Sequence, residues 1–280
     1  HLMEYEGKGG VNKTFISLGY NPVKSLSLGV EAAYNFGSIT NEGISRVQGV
    51  QYASLERNEF DVNGFEFKFA GTYKKHLNNK SYFLANISYS PKYSLTSKNS
   101  KSLLSIDYHE EGGHIVRDER DLGQIKGDVD MPEQMSFGLG YGKEKHWFVG
   151  AEYQNRGAEE FNSHSLALNN VDFVSSTSYR LGGYYIPNHR SFTKVLQRSV
   201  YRFGMRYDEL GIKVNQEDIN EFGMSFGIGV PMKRYFSNLN FSLEVGKRGT
   251  KKSGLIQENF VNMSLTFSLN DKWFQKRYIY

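Results

Sequence analysis

Between Phe222 and Val230 the residue type switches at every step. Phe222, Met224, Phe226, Ile228 and Val230 are large and apolar, and the residues between them, Gly223, Ser225, Gly227 and Gly229, are small. Leu239, Phe241, Leu243 and Val245 alternate in the same way with Asn240, Ser242, Glu244 and Gly246. Val261, Met263, Leu265, Phe267 and Leu269 alternate with Asn262, Ser264, Thr266 and Ser268. A strict period of two places the two sets on opposite faces of a strand. In a soluble sandwich the second face would carry Lys, Glu and Thr toward bulk water. Here it is Gly, Ser and Asn with an occasional charge, which suits the crowded polar interior of a closed barrel whose large residues face lipid. The chain therefore reads as an all-β, antiparallel transmembrane β-barrel of the bacterial outer membrane.

Hydropathy does not argue against this. The mean is −0.55 and no run of about 20 apolar residues exists, so a helical membrane protein is excluded. A barrel needs only alternate residues to be apolar. The 20 Phe and 19 Tyr supply lipid-facing bulk and interfacial girdles, and Trp273, Phe274, Tyr278 and Tyr280 read as girdle near the end of the chain. With no Cys there is no disulfide frame or thiolate metal site. The net charge of +4 is scattered rather than gathered in a stripe, which gives no case for nucleic acid.

The same alternation predicts eleven strands, centred on residues 12–20, 26–36, 65–73, 82–90, 135–141, 147–153, 179–185, 201–207, 222–230, 239–245 and 261–269. The intervening stretches are alternately short and long. Outer-membrane barrels have short periplasmic turns and long external loops, so residues 37–59 and 91–131 are expected as outer loops. Residues 1–280 form one barrel domain on this reading. Eleven is odd, while single-chain bacterial barrels have even numbers, so the expectation is that strands preceding the first are missing.

Several ordered segments carry a family resemblance: Glu4-Tyr5-Glu6-Gly7-Lys8-Gly9-Gly10, Tyr34-Asn35-Phe36-Gly37, Gly246-Lys247-Arg248-Gly249-Thr250, Ile256-Gln257-Glu258-Asn259-Phe260, and Leu269 to Arg277. Together they resemble the FadL-like outer-membrane transport proteins, fourteen-stranded barrels for long-chain fatty acids and other hydrophobic compounds. The resemblance implies that this chain is the C-terminal two-thirds of such a barrel, without the N-terminal plug and first three strands. It also implies passive uptake of hydrophobic compounds as the function. The two long outer loops then match the family's ligand groove, and their apolar members Ile44, Val47, Val50, Tyr52, Leu103, Leu104, Ile106 and Tyr108 are the expected ligand contacts, unless they cover one another as a folded cap.

The inward parity carries Glu31, Glu66, Lys68, Glu152, Arg180, Arg202, Arg206, Glu221 and Glu244. One reading makes Arg180, Arg202 or Arg206 the bidentate partner of a fatty-acid carboxylate. The other makes the set a lumen-filling salt-bridge network, since buried charges must be paired and the signs are mixed on neighbouring strands. No cofactor is implied. His109-Glu110-Glu111-Gly112-Gly113-His114 has its histidines five apart across two glycines, the wrong spacing for a zinc helix, so no metal site is expected. Enzymatic chemistry is not expected either, because no inward His meets Ser and a carboxylate at a common level. The expected partners are outer-membrane lipid and lipopolysaccharide and hydrophobic small molecules. If the barrel instead serves a secretion or assembly complex, a protein partner is expected too.

Overall fold

The computed structural model describes residues 2–77, 80–108, 113–158, 170–191, 193–232 and 238–268. They form one antiparallel sheet of fourteen strands: β1 (Leu2–Val23), β2 (Leu26–Arg46), β3 (Ala53–His76), β4 (Ser81–Ser90), β5 (Tyr93–Tyr108), β6 (His114–Met131), β7 (Gln134–Lys143), β8 (Trp147–Arg156), β9 (Val171–Phe173), β10 (Ser176–Tyr185), β11 (Val200–Val214), β12 (Glu217–Pro231), β13 (Asn238–Gly249) and β14 (Gln257–Ser268). Eleven make the continuous path β1-β2-β3-β4-β7-β8-β10-β11-β12-β13-β14. These are the eleven that alternation predicts. Among the described residues β1 pairs only with β2 and β14 only with β13, so the sheet does not close on itself.

The registers turn the alternation into two continuous faces. Tyr153, Tyr179 and Tyr207 stand opposite one another across β8, β10 and β11, with ring centroids 5.4 and 6.5 Å apart. Six residues along, Trp147, Tyr185 and Tyr201 form a second row. At roughly 3.3 Å per residue the rows are about 20 Å apart. Met205, Leu181 and Ala151 lie between them, still exposed or nearly so, as lipid-facing groups would be. On β2 the apolar set ends at Phe36 and continues as Ser38, Thr40 and Glu42, marking where the lipid face stops.

The strands do not stop there. Most of the described residues in the stretches 37–59 and 91–131, expected as outer loops, are strand: β2 runs on to Arg46, β3 begins at Ala53, and β5 and β6 take Tyr93–Tyr108 and His114–Met131. β2 and β3 pair without interruption from Leu26↔Tyr73 to Ser45↔Ser54. β3 pairs with β4 from Phe69↔Tyr89 downward and with β5 from Asn63↔Thr96 upward. Six residues of β3 therefore face seven of the other strand, a bulge at Pro91–Lys92. β5 pairs along its length with β6, so β4–β5 and β6–β7 are two arms of one hairpin that runs from the lipid band into the space beyond it. Alternation missed β6 because nearly all of it is exposed on both faces, Ile125 at 71%. Backbone pairing rather than burial holds such a strand. β9 is a three-residue addition to the edge of β11.

Among the described residues the one buried apolar cluster lies in this outer extension: Ala53, Leu55, Leu104 and Ile106, with Ile44 against it. At the opposite end, the β10–β11 connection contains a short helix, α1 (Val195–Arg198), closed by the buried Ser199.

Candidate functional site

All nine charges placed by parity on the inner face fall on one face of the sheet by register. Two groups form. At β1–β3, Lys13 Nζ sits 3.1 Å from Glu31 Oε1 and 3.0 Å from Glu66 Oε2, and Glu66 also accepts from Asn35 and Ser90. From β8 to β13 a chain of ion pairs crosses five strands, β8, β10, β11, β12 and β13. Arg180 Nη1 donates to Glu152 Oε1 at 2.8 Å and to Gln154 Oε1 at 2.9 Å, and its other nitrogen lies 4.0 Å from Asp208. Arg206 donates to Asp208 at 2.6 Å, to Glu244 at 2.8 Å and to Glu221. Glu221, only 2% exposed, is held from its other side by Arg248, and Glu244 takes a further bond from Asn262 on β14.

Lys13, Asp208 and Arg248 were not among the residues selected from sequence. Asp208 and Arg248 share the parity of Arg206 and Glu244, so extending the alternation two residues past Arg206 and Gly246 would have found them. Arg202 is different. It donates to the neutral Asn240 Oδ1 at 3.1 Å, and among the described residues no carboxylate lies within ion-pair distance of it. Lys68 likewise has no ion pair among the described residues.

Between the ion-pair chain and the short-turn end the inner face is floored by glycine. A Cβ on Gly140 would meet Phe148 Cζ at 2.4 Å, and one on Gly229 would meet the Arg202 guanidinium at 2.8 Å. The side chains of Phe148, Tyr184 and Arg202 lie over this floor because their neighbours have none. Tyr82, Phe148 and Tyr184 stack in a row, with centroids 6.1 Å apart at both steps. Phe148 and Tyr184 of this row, with the ion-pair chain, border a concavity of about 520 Å³.

The eight apolar residues expected to contact ligand divide. Ile44, Leu104 and Ile106 are brought together, with Leu104 at 1% and Ile106 at 0% exposure, packed on Leu55 and Ala53. Val47, Val50, Tyr52 and Leu103 are exposed and do not join that cluster. Tyr108 closes β5, and its side chain lies outside the described residues, as do His109, Glu110, Glu111 and the stretch from Leu269 to Tyr280 that includes Trp273, Phe274, Tyr278 and Tyr280. The extension carries polar pairs of its own: Arg57–Glu42 at 2.7 Å and Lys101–Glu56 at 2.6 Å. The bonds from Lys101 and then Asn58 hold the Glu56 carboxyl below its ordinary range. Asp107 holds Arg117 in the same way, favouring its charged form.

Residues 1–279 match the sequence profile of the BamG family. The chain belongs to the BamG family. No curated protein matches it at a significant level. Among solved structures, the CymD monoaromatic hydrocarbon channel superposes with a TM-score of 0.53 at 14% identity, covering 93% of this chain and 76% of CymD. The Pseudomonas putida toluene transporter TodX gives 0.48 at 15% identity, covering 86% and 64%. A chain of the RagAB peptide transporter gives 0.49 at 10% identity over 92% of this chain. The chain spans about a third of the length of that RagAB chain, 33%. At this identity CymD establishes the fold alone. This BamG family member is thus an outer-membrane β-barrel protein, and the FadL-like expectation is supported at the level of the barrel fold.

Proposed function

We propose that this protein is a structural barrel of an outer-membrane assembly complex and works through protein partners. The observation that carries the reading is membership of the BamG family over residues 1–279. Two features of the geometry support it. The inner face is spanned from β8 to β13 by ion pairs rather than lined for an apolar solute, and a solute crossing it would have to displace charges that are costly to separate. The outer extension buries Leu104 and Ile106 in its own core and exposes an 18-residue strand, β6, with one edge unpaired among the described residues. A long unpaired edge is a template for a partner's strand. The test is purification of the full-length protein from its native outer membrane. A partner protein in fixed stoichiometry is expected, and depletion of the protein is expected to lower the folded fraction of other barrels, read by heat-modifiability on gels. A barrel that purifies alone, with no effect on its neighbours, would overturn the proposal.

A second reading, passive uptake of hydrophobic compounds such as long-chain fatty acids, is favoured by one observation. Arg202, without a carboxylate partner among the described residues, stands beside the Tyr82–Phe148–Tyr184 row over the concavity. A guanidinium next to an apolar row suits an amphipathic carboxylate, with about 0.8 kcal/mol from each buried CH₂ of its tail. On this reading Arg202→Ala abolishes fatty-acid retention and Arg180→Ala does not.

A further inference from the structure

The ends of the sheet differ sharply in charge. At the short-turn end three consecutive connections are tied backbone to backbone. Leu77 donates to Ser81, Glu144 to Lys80, and Ile186 to His146, the last at 2.6 Å. The end of β3 carries Lys74, Lys75 and His76, and the β3–β4 connection carries Lys80. The β7–β8 turn is flanked by Lys143, Lys145 and His146, and the start of the β10–β11 connection brings His189 and Arg190. Against these six Lys and Arg there is one carboxylate, Glu144, and it is engaged by Lys74 at 3.6 Å and His76 at 3.8 Å. His146 meets His189 edge to face at 6.2 Å.

The backbone gives a second, independent sign. Lys80 and Lys145 both sit at positive φ, 66° and 58°, a region that favours glycine and asparagine. Lysine occupies two turn positions where it is conformationally disfavoured and where each adds to like-charge repulsion. Strain of this kind persists where the surroundings over-determine it and marks candidate functional positions. From these observations, and resting on the assembly reading above, we infer that the three knitted turns form a docking platform for the acidic face of a periplasmic protein partner.

The placement favours a protein over phospholipid headgroups. Headgroups ring the outside of a barrel, whereas Lys74 and His76 take the inner parity, opposite Leu84 and Tyr82, and Lys74 Nζ lies 4.6 Å above the Tyr82 ring. The cations therefore cover the rim and its lumen side across one sector of the barrel, a shape that a folded acidic surface can match. Charge complementarity of this sort acts on encounter and orientation and weakens as salt rises.

The experiment compares full-length wild type with Lys80→Glu/Lys145→Glu/Arg190→Glu and with the charge-keeping control Lys80→Arg/Lys145→Arg/Arg190→Lys. Each is purified by affinity tag from the native outer membrane at about 0.1 M and about 0.5 M NaCl, a range over which the Debye length shrinks markedly. Wild type and control are expected to retain one stoichiometric partner with an acidic periplasmic surface at low salt. The Glu variant is expected to retain it ~10-fold less, as loss of electrostatic steering implies, while its barrel stays heat-modifiable. Equal retention by the Glu variant overturns the platform and leaves the assembly reading standing. No partner on any of the three overturns both. In a parallel arm, phosphatidylglycerol vesicles that bind wild type but not the Glu variant, with partner retention unchanged, would make the surface a lipid contact and overturn the proposal.

Discussion

Arg206→Met removes the group on which the β8–β13 chain of charges depends. Its guanidinium serves Asp208, Glu221 and Glu244 at once, so the variant leaves three carboxylates on neighbouring strands. Glu221 then keeps Arg248, Asp208 has only Arg180 at 4.0 Å, and Glu244 has only the amide of Asn262. Removing one partner from a buried ion pair costs about 3–5 kcal/mol. The Arg206 side chain is 31% exposed, so solvent offsets part of this and the expected loss is near the lower end, about 3 kcal/mol. Glu244→Gln leaves Arg206 two carboxylates and should cost less, about 1–2 kcal/mol. In the Arg206→Met background the same change removes a repelling charge, so the double variant should be more stable than the sum of the singles, with a coupling of about 0.5–3 kcal/mol. Urea titration of the folded, heat-modifiable form in lipid vesicles measures all four proteins. A loss below about 1 kcal/mol for Arg206→Met, or strictly additive singles, would refute the view that this network holds the strands together.

Other consequences follow from particular contacts. Leu104→Ala should destabilise the outer extension by about 2–5 kcal/mol, read as faster amide exchange in β3 and β5 while the lipid-band strands stay protected. The Glu56 carboxyl is held low by Lys101 and Asn58, so its contribution is present above the usual carboxylate range and is lost as the pH falls through its lowered value. Amide exchange in β3–β5 should therefore accelerate in acid in the wild type, and less in Glu56→Gln. Gly140→Ala should cost about 1–3 kcal/mol through its clash with Phe148, and Phe148→Leu should recover most of the loss in the same urea titration. Desolvation and the charges of Arg190, Lys145, His146 and Lys80 hold the His189 imidazolium below its ordinary pKa, so Arg190→Glu should raise the midpoint of the His189 titration followed by NMR.

The sequence by itself determined every strand that has a lipid face. Each of the eleven strands in the continuous path carries at least one apolar set at period two, and period two is forced wherever one side meets hydrocarbon and the other does not. It also determined which charges share one face of the sheet, because parity is preserved along an unbulged strand: Arg180, Arg206 and Glu221 needed no coordinates to be placed together on one side. Outside the lipid band that constraint vanishes. β6 reads His-Ile-Val-Arg-Asp-Glu-Arg-Asp, with no alternation, since both of its faces are exposed and any residue is tolerated there. Only the tertiary structure shows that β5 and β6 prolong the β4–β7 hairpin, and that the extra residue at Pro91–Lys92 brings Leu104 and Ile106 opposite Leu55 and Ala53 instead of onto the other face. Register likewise decided which arginine lacks a counter-charge. Parity gives Arg202 and Arg206 the same address, but the residue each reaches on β13, Asn240 for one and Glu244 for the other, depends on how two distant strands align, and no local pattern encodes that.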